Sequence, residues 1–275
     1  MPFPAIGLAP LGFLELAPPD FIAIAAEAGF ASAGLRTRAA VPGGAEYPLA
    51  RDAALLRDTQ HLIADTGVRV SSIEQVSLFR DTAVDTLRPM LEAGGQIGAT
   101  RVLCSGDDAD LAVVADRFAE LCAAAAEFGL TVDLEFMPFR AVRTLEQARD
   151  VVVRSRAKNG AVAIDVLHLM RSGGSPSSLA GLEPKLIGCV QICDATAVAP
   201  PADELAFEAR ERRLLPGAGE LPLEAILQAV GPGRLIDAEV PLGQAMPDVT
   251  PLERARRIHA ATVRILMASR QPIET

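Results

Sequence analysis

The chain has 275 residues, half of them hydrophobic, no tryptophan and a formal net charge of −9. That charge argues against a nucleic-acid backbone or an anionic membrane surface as partner, because phosphate contacts need clustered Lys and Arg. The length leaves room for two small domains, but it also matches the usual size of one α/β barrel.

Five prolines interrupt the opening stretch "MPFPAIGLAPLGFLELAPP", which also lacks a basic leading region, so no signal peptide or spanning helix is expected there. Short apolar runs then alternate with longer amphipathic segments. The runs are "AIGLA" (5–9), "SAGLR" (32–36), "VRVSSI" (68–73), "TRVLCS" (100–105), "TVDLEF" (131–136), "VAIDV" (162–166), "CVQIC" (189–193) and "RLIDAEV" (234–240). Each is short, often β-branched and bounded by Gly, Pro, Asp or Ser, which predicts a strand. Helices are expected over 19–30, with Asp20 as N-cap and Gly29 as stop, and over 50–67, 110–129 and 251–269. Eight such units, about 34 residues each, predict a single-domain (β/α)8 TIM barrel spanning 1–275. The rival is an open doubly wound sheet. A glycine-rich dinucleotide fingerprint after the first strand would favour it, and "GLAPLG" has neither the spacing nor the acidic partner. The longest irregular stretch, 194–222, is expected to be a loop on the catalytic face.

The four cysteines, Cys104, Cys122, Cys189 and Cys193, show no metal-type CxxC spacing. Cys189 and Cys193 on one strand would lie roughly 13 Å apart, too far for a disulfide. Reduced thiols in a cytoplasmic protein are therefore expected.

Alternation along the strands places Asp133 and Glu135 on one face of the fifth, and Asp237 and Glu239 on one face of the eighth. Asp165 and Gln191 are the polar residues of the sixth and seventh. Glu135, Asp165, Gln191 and Glu239 thus stand at or near four consecutive strand ends, at the barrel mouth where such enzymes keep their active sites. Each carboxylate alone reads most simply as a salt-bridged or solvated strand end. Converging, they would repel unless a cation sat among them, and an all-oxygen set suits Mn²⁺, Mg²⁺ or Ca²⁺.

His168, three residues past Asp165, is expected as a general acid/base or substrate donor, while His61 and His259 fall inside helical segments. Of Arg210, Arg212 and Arg213, two are expected to be solvated and one to clamp a substrate oxygen. Arg36 and Glu74 end the second and third strands and face the same mouth, with a rim ion pair as Glu74's alternative.

The strings "LEFMPF" (134–139), "IDVLHLMRSG" (164–173), "GCVQICDA" (188–195), "RLLPGAGELPL" (213–223) and "DAEV" (237–240), in this order, resemble the xylose isomerase-like TIM-barrel superfamily. The resemblance implies a metal-dependent sugar (phosphate) isomerase or epimerase, with one divalent ion held by Glu135, Asp165, Gln191 and Glu239. It implies proton abstraction next to a metal-bound carbonyl of a small polyhydroxylated or keto-acid substrate, with Glu135, Glu239 and His168 as the catalytic groups. It assigns substrate contact to His168 and to Arg213, the arginine of R-x-x-P-G-x-G, with Arg210 as a further substrate-binding residue. One departure points elsewhere: most of these isomerases carry histidine where Gln191 stands, and the glutamine form is similar to bacterial 3-dehydroshikimate dehydratases. A lyase is therefore the alternative, and a non-catalytic binding barrel the remaining one. The DNA-repair branch of the superfamily needs a histidine-rich zinc cluster that one histidine at the mouth cannot supply. A homo-oligomer is compatible with this class.

Overall fold

The eight apolar runs form eight parallel strands that pair in chain order, and the last pairs with the first, closing a barrel. The coordinates are those of a computed structural model, which describes residues 6–243 and 245–269. The strands are β1 Ile6–Leu8, β2 Ser32–Arg36, β3 Arg69–Leu78, β4 Arg101–Gly106, β5 Thr131–Glu135, β6 Gly160–Asp165, β7 Ile187–Ile192 and β8 Leu235–Ala238. Closure rules out the open sheet: every strand has two neighbours, so no edge is left to be managed.

Most boundaries move from their expected places by a residue or two, and β3 moves most. It runs on to Leu78 because, after a register shift, Val76 to Leu78 pair with Cys104 to Gly106 of β4. Glu74 therefore lies mid-strand rather than at a strand end. The expected N-cap Asp20 is also displaced. Its helix is Pro18–Glu27 with Ala17 as N-cap, because Pro18 and Pro19 occupy the first turn, where a missing N–H costs nothing. Other helix ends follow the sequence closely. Asp52 accepts from the backbone N–H of Ala54 and Leu55 at the start of Ala53–Thr66, and Gly67 closes that helix at φ 72°. The stretch 194–222 is not wholly irregular, since it contains the helix Leu205–Glu211.

The main core lies between the outward faces of the strands and the surrounding helices. Leu8, Leu35, Val132, Leu134, Ile164, Val190 and Ile192 are all buried there, with Phe118 and Phe136 as the largest fully buried side chains. Burying each aliphatic side chain contributes roughly 1.5–3 kcal/mol. Inside the barrel, Leu103, Ala163 and Cys189 form a small apolar plug against Leu235. The rest of the interior is polar. Asp133, Asp237, Ser32 and Ser71 are buried there, and glycine makes room for the acids: a Cβ at Gly188 would meet the Asp133 carboxylate at 2.3 Å. Among the described residues no helix is long and apolar enough to cross a membrane. All four cysteines are free and buried.

Candidate active site

Strand ends set the site. Glu135 ends β5, Asp165 ends β6, Gln191 is the penultimate residue of β7, and Glu239 follows directly after β8. The register places Asp165 beside Gln191 and Gln191 beside Asp237, so inward-facing residues of neighbouring strands stand at the same height. All four predicted ligands are buried.

The four divide into two linked groups. Glu135, Asp165 and His168 each offer one ligand atom, all within 4.8 Å of one another. Gln191 donates from Nε2 to Glu239 Oε1 at 3.2 Å. Arg213 joins the groups, with Nη1 2.5 Å from Asp165 Oδ2 and Nη2 2.9 Å from Glu239 Oε2. Its Nε donates to the Ala209 carbonyl at 2.6 Å, so the guanidinium is held on three sides. Asp165 is N-cap of the helix Val166–Arg171, accepting the His168 N–H on Oδ1 at 2.9 Å. The cap fixes where the His168 ring begins, and its Nε2 lies 3.6 Å from Glu135 Oε1. Phe139 packs edge-on against the imidazole at 5.5 Å.

Burial sets the electrostatics. Desolvation, with the neighbouring charges of Glu239 and Asp165, pushes Glu135 well above the ordinary carboxylate range. Desolvation pushes Glu239 up to about 8 even though Arg213 opposes it. Asp165 goes the other way, since Arg213 and His168 outweigh its burial and hold it below the usual value. Desolvation lowers His168 to about 4, so its imidazole is neutral at pH 7.

The donor set fits a divalent cation. Gln191 Oε1 is buried and has no partner among the described residues, a carbonyl acceptor in want of a donor or an ion. A cation would reverse the charge balance that drives Glu135 and Glu239 toward their protonated forms. Glu135, Asp165, Gln191 and Glu239 could hold such an ion, with the His168 imidazole beside them.

The other predicted residues separate. Arg36 and Glu74 are buried and paired at 3.4 Å, and Ser72 Oγ also donates to Glu74 at 3.0 Å. Both line the cavity of about 80 Å³ at the mouth, as do Arg210 and Arg213. Arg210 is exposed, with its guanidinium 5.9 Å from the Phe139 ring centre. Arg212 points away, paired with Glu204 at 2.8 Å. Arg213 is buried against two acids rather than open to solvent, so any substrate contact it makes comes from inside the cluster.

Two residues carry the site without having been expected to. Asp194 accepts backbone N–H groups from Ala195, Gly217, Gly219 and Leu221 at 2.8–3.0 Å, folding the returning loop over the mouth. Arg171 grips Glu208 with two hydrogen bonds of 2.8 and 2.7 Å and so ties Leu205–Glu211 to the helix that bears His168. The spacing of Asp194 to the glycine-rich string was a usable signal for the first. Nothing local in the sequence pairs Arg171 with Glu208.

The xylose isomerase-like TIM barrel model matches residues 22–257. The chain belongs to that family. Within it, a 3-dehydroshikimate dehydratase of Pseudomonas aeruginosa is 31% identical over 187 residues, covering 63% of this chain and 29% of the dehydratase. The chain thus corresponds to about 29% of that relative's length. The zinc-bound IOLI protein superposes over 98% of this chain and 100% of its own at TM-score 0.82 and 19% identity. The 3-keto-D-glucoside 4-epimerase YcjR of E. coli does so over 94% and 98% at TM-score 0.71 and 18% identity. At these identities the two structures establish a shared fold. The family contains epimerases and dehydratases, and this xylose isomerase-like barrel has the acidic mouth described above.

Proposed function

We propose that this xylose isomerase-like barrel is a divalent-metal-dependent enzyme that removes the proton next to the carbonyl of a small polyhydroxylated keto substrate, and that it finishes the reaction by expelling water. The observation that carries the reading is the buried convergence of Glu135 and Asp165, with the His168 imidazole beside them and a Gln191 carbonyl oxygen that has no partner among the described residues. A bound Mn²⁺ or Mg²⁺ would supply Lewis-acid polarisation of a ketone.

The chain's own residues divide the remaining work. His168 is neutral at pH 7 and is anchored through its backbone to Asp165, so it is the base. The imidazolium formed on proton uptake is stabilised by Glu135, 3.6 Å from Nε2. Returning that proton to the hydroxyl on the next carbon releases water, leaves a conjugated ketone and restores the neutral base. Phe139 limits the ring's rotation and keeps solvent off it.

An epimerase needs a second acid/base on the opposite face of the carbon. Glu239 is the group placed for it, but Gln191 and Arg213 engage both of its oxygens. This favours the dehydratase direction, as does the identity with the Pseudomonas aeruginosa 3-dehydroshikimate dehydratase. The isomerase or epimerase reading stands second, supported by the buried carboxylates at the mouth and the fold shared with YcjR.

The deciding experiment incubates the Mn²⁺-loaded protein in deuterated buffer with 3-dehydroshikimate and, separately, with a panel of ketoses and inososes. A conjugated, ultraviolet-absorbing product from the first, lost in His168→Ala while Mn²⁺ binding persists, is the expected result. Deuterium uptake into a recovered ketose would establish the epimerase reading instead. Absence of Mn²⁺ and Mg²⁺ binding by calorimetry would refute both.

A further inference from the structure

The far end of the barrel from the mouth carries a second polar cavity. It has a volume of about 180 Å³ and is lined by the starts of β4 to β8 and the turns before β6 and β7. In a chain of net charge −9, four cations gather around it: Arg101, Lys158, Lys185 and Arg234. Lys158 and Lys185 are the only two lysines among the chain's 26 basic residues, and both line this one cavity.

Their partners leave charge over. Arg101 Nη1 donates to the buried Asp133 at 3.2 Å, and Lys185 pairs with Glu183 at 2.8 Å. Among the described residues Arg234 Nη1 donates only to the Ile187 carbonyl, at 3.3 Å, which neutralises nothing. Lys158 is exposed and has no ion-pair partner among the described residues. Lys158 and Arg234 thus have no carboxylate within ion-pair distance among the described residues. Among the described residues the Nε groups of Arg101 and Arg234 are buried without a hydrogen-bond partner, as are those of four other arginines, and such groups are commonly satisfied by water or an ion. Arginine forks on the inner wall with two flexible ammonium groups at the rim give fixed donors for oxygen atoms and adaptable charge to close over them.

We propose that this floor cavity is a binding site for a small multivalent oxyanion, a phosphate ester or a di- or tricarboxylate, separate from the mouth. The proposal does not depend on the reaction assigned above.

The lysine count makes the test direct. Full-length protein is treated with acetic anhydride in the presence of pyrophosphate, citrate or sodium chloride at equal ionic strength, and labelling of Lys158 and Lys185 is followed by mass spectrometry. At a concentration about ten times Kd, pyrophosphate or citrate should slow labelling of both by about tenfold relative to chloride. Whichever of the two protects at lower concentration identifies phosphate or carboxylate as the preferred group. Arg234→Gln should abolish the protection at both lysines, and Lys158→Gln, a change at an exposed position, should abolish it at Lys185. Protection no greater than chloride gives would overturn the proposal, and so would protection that survives both substitutions.

Discussion

Gln191 donates one amide hydrogen to Glu239, and in this buried acidic mouth its carbonyl oxygen has no partner among the described residues. A carboxylate there would bring a further negative charge into a cluster where burial already drives Glu135 and Glu239 toward their protonated forms. A neutral ligand limits that repulsion while still offering an oxygen to a cation. Gln191→Glu should therefore lower metal-free stability by roughly 3–5 kcal/mol, as an uncompensated buried charge does. Saturating Mn²⁺ should recover most of that loss. Thermal unfolding with and without the ion checks both arms, and a variant as stable as the parent without metal would refute the argument. Glu135, Asp165, Gln191 and Glu239 were legible in the sequence because a strand's two-residue period fixes which side chains face inward. The pinning of Arg213 between Asp165 and Glu239 was not, because it joins positions 48 and 26 residues apart on different strands and loops.

Among the elements, the loop after β7 shows how a site is held from outside. It leaves the strand at Asp194, passes through Leu205–Glu211, and returns along a two-residue bridge in which Asp194 and Leu214 exchange backbone hydrogen bonds of 2.9 and 2.8 Å. The Asp194 carboxylate then collects the N–H groups of Gly217, Gly219 and Leu221. Glycine is required at both turn positions. Gly217 has φ 82°, and a Cβ at Gly219 would meet the Ala195 carbonyl oxygen at 2.4 Å. Asp194→Asn keeps one acceptor oxygen but replaces the other by a donor facing N–H groups. It should cost about 2–4 kcal/mol, given ~1.5–3 kcal/mol per charge-assisted hydrogen bond. Urea unfolding measures the loss, and a change under about 0.5 kcal/mol, the scatter of ordinary surface substitutions, would show that the carboxylate does not hold the loop. Turnover should fall with stability, because Arg213 hangs from the same segment.

For the whole molecule, the buried mouth links folding, protons and metal. Glu239 has a folded-state pKa of about 8 against 4.5 when free, so its contribution to stability is complete below 4.5 and is lost as pH rises toward 8. Glu135 shifts in the same direction. His168 has the opposite sign: lowered from 6.5 to about 4, it stabilises fully above 6.5 and loses that contribution as pH falls to 4. Metal competes with the carboxylate protons. The rise in Tm on adding Mn²⁺ to chelator-treated protein should therefore grow steadily from pH 5 to pH 8. A Tm gain that is flat or falling across that window would place the ion away from Glu135 and Glu239.

The amino-acid sequence by itself determined the repeating strand–helix unit, the inward set of polar strand ends and the absence of a dinucleotide-binding turn. Each is a matter of local periodicity and local turn chemistry. Tertiary structure decided that the sheet closes, that Arg213 joins Asp165 to Glu239, that Arg171 braces Glu208, and that both lysines meet at the barrel floor. Those outcomes depend on strand tilt and register around a closed circle, which bring residues far apart in the chain to one height and one face.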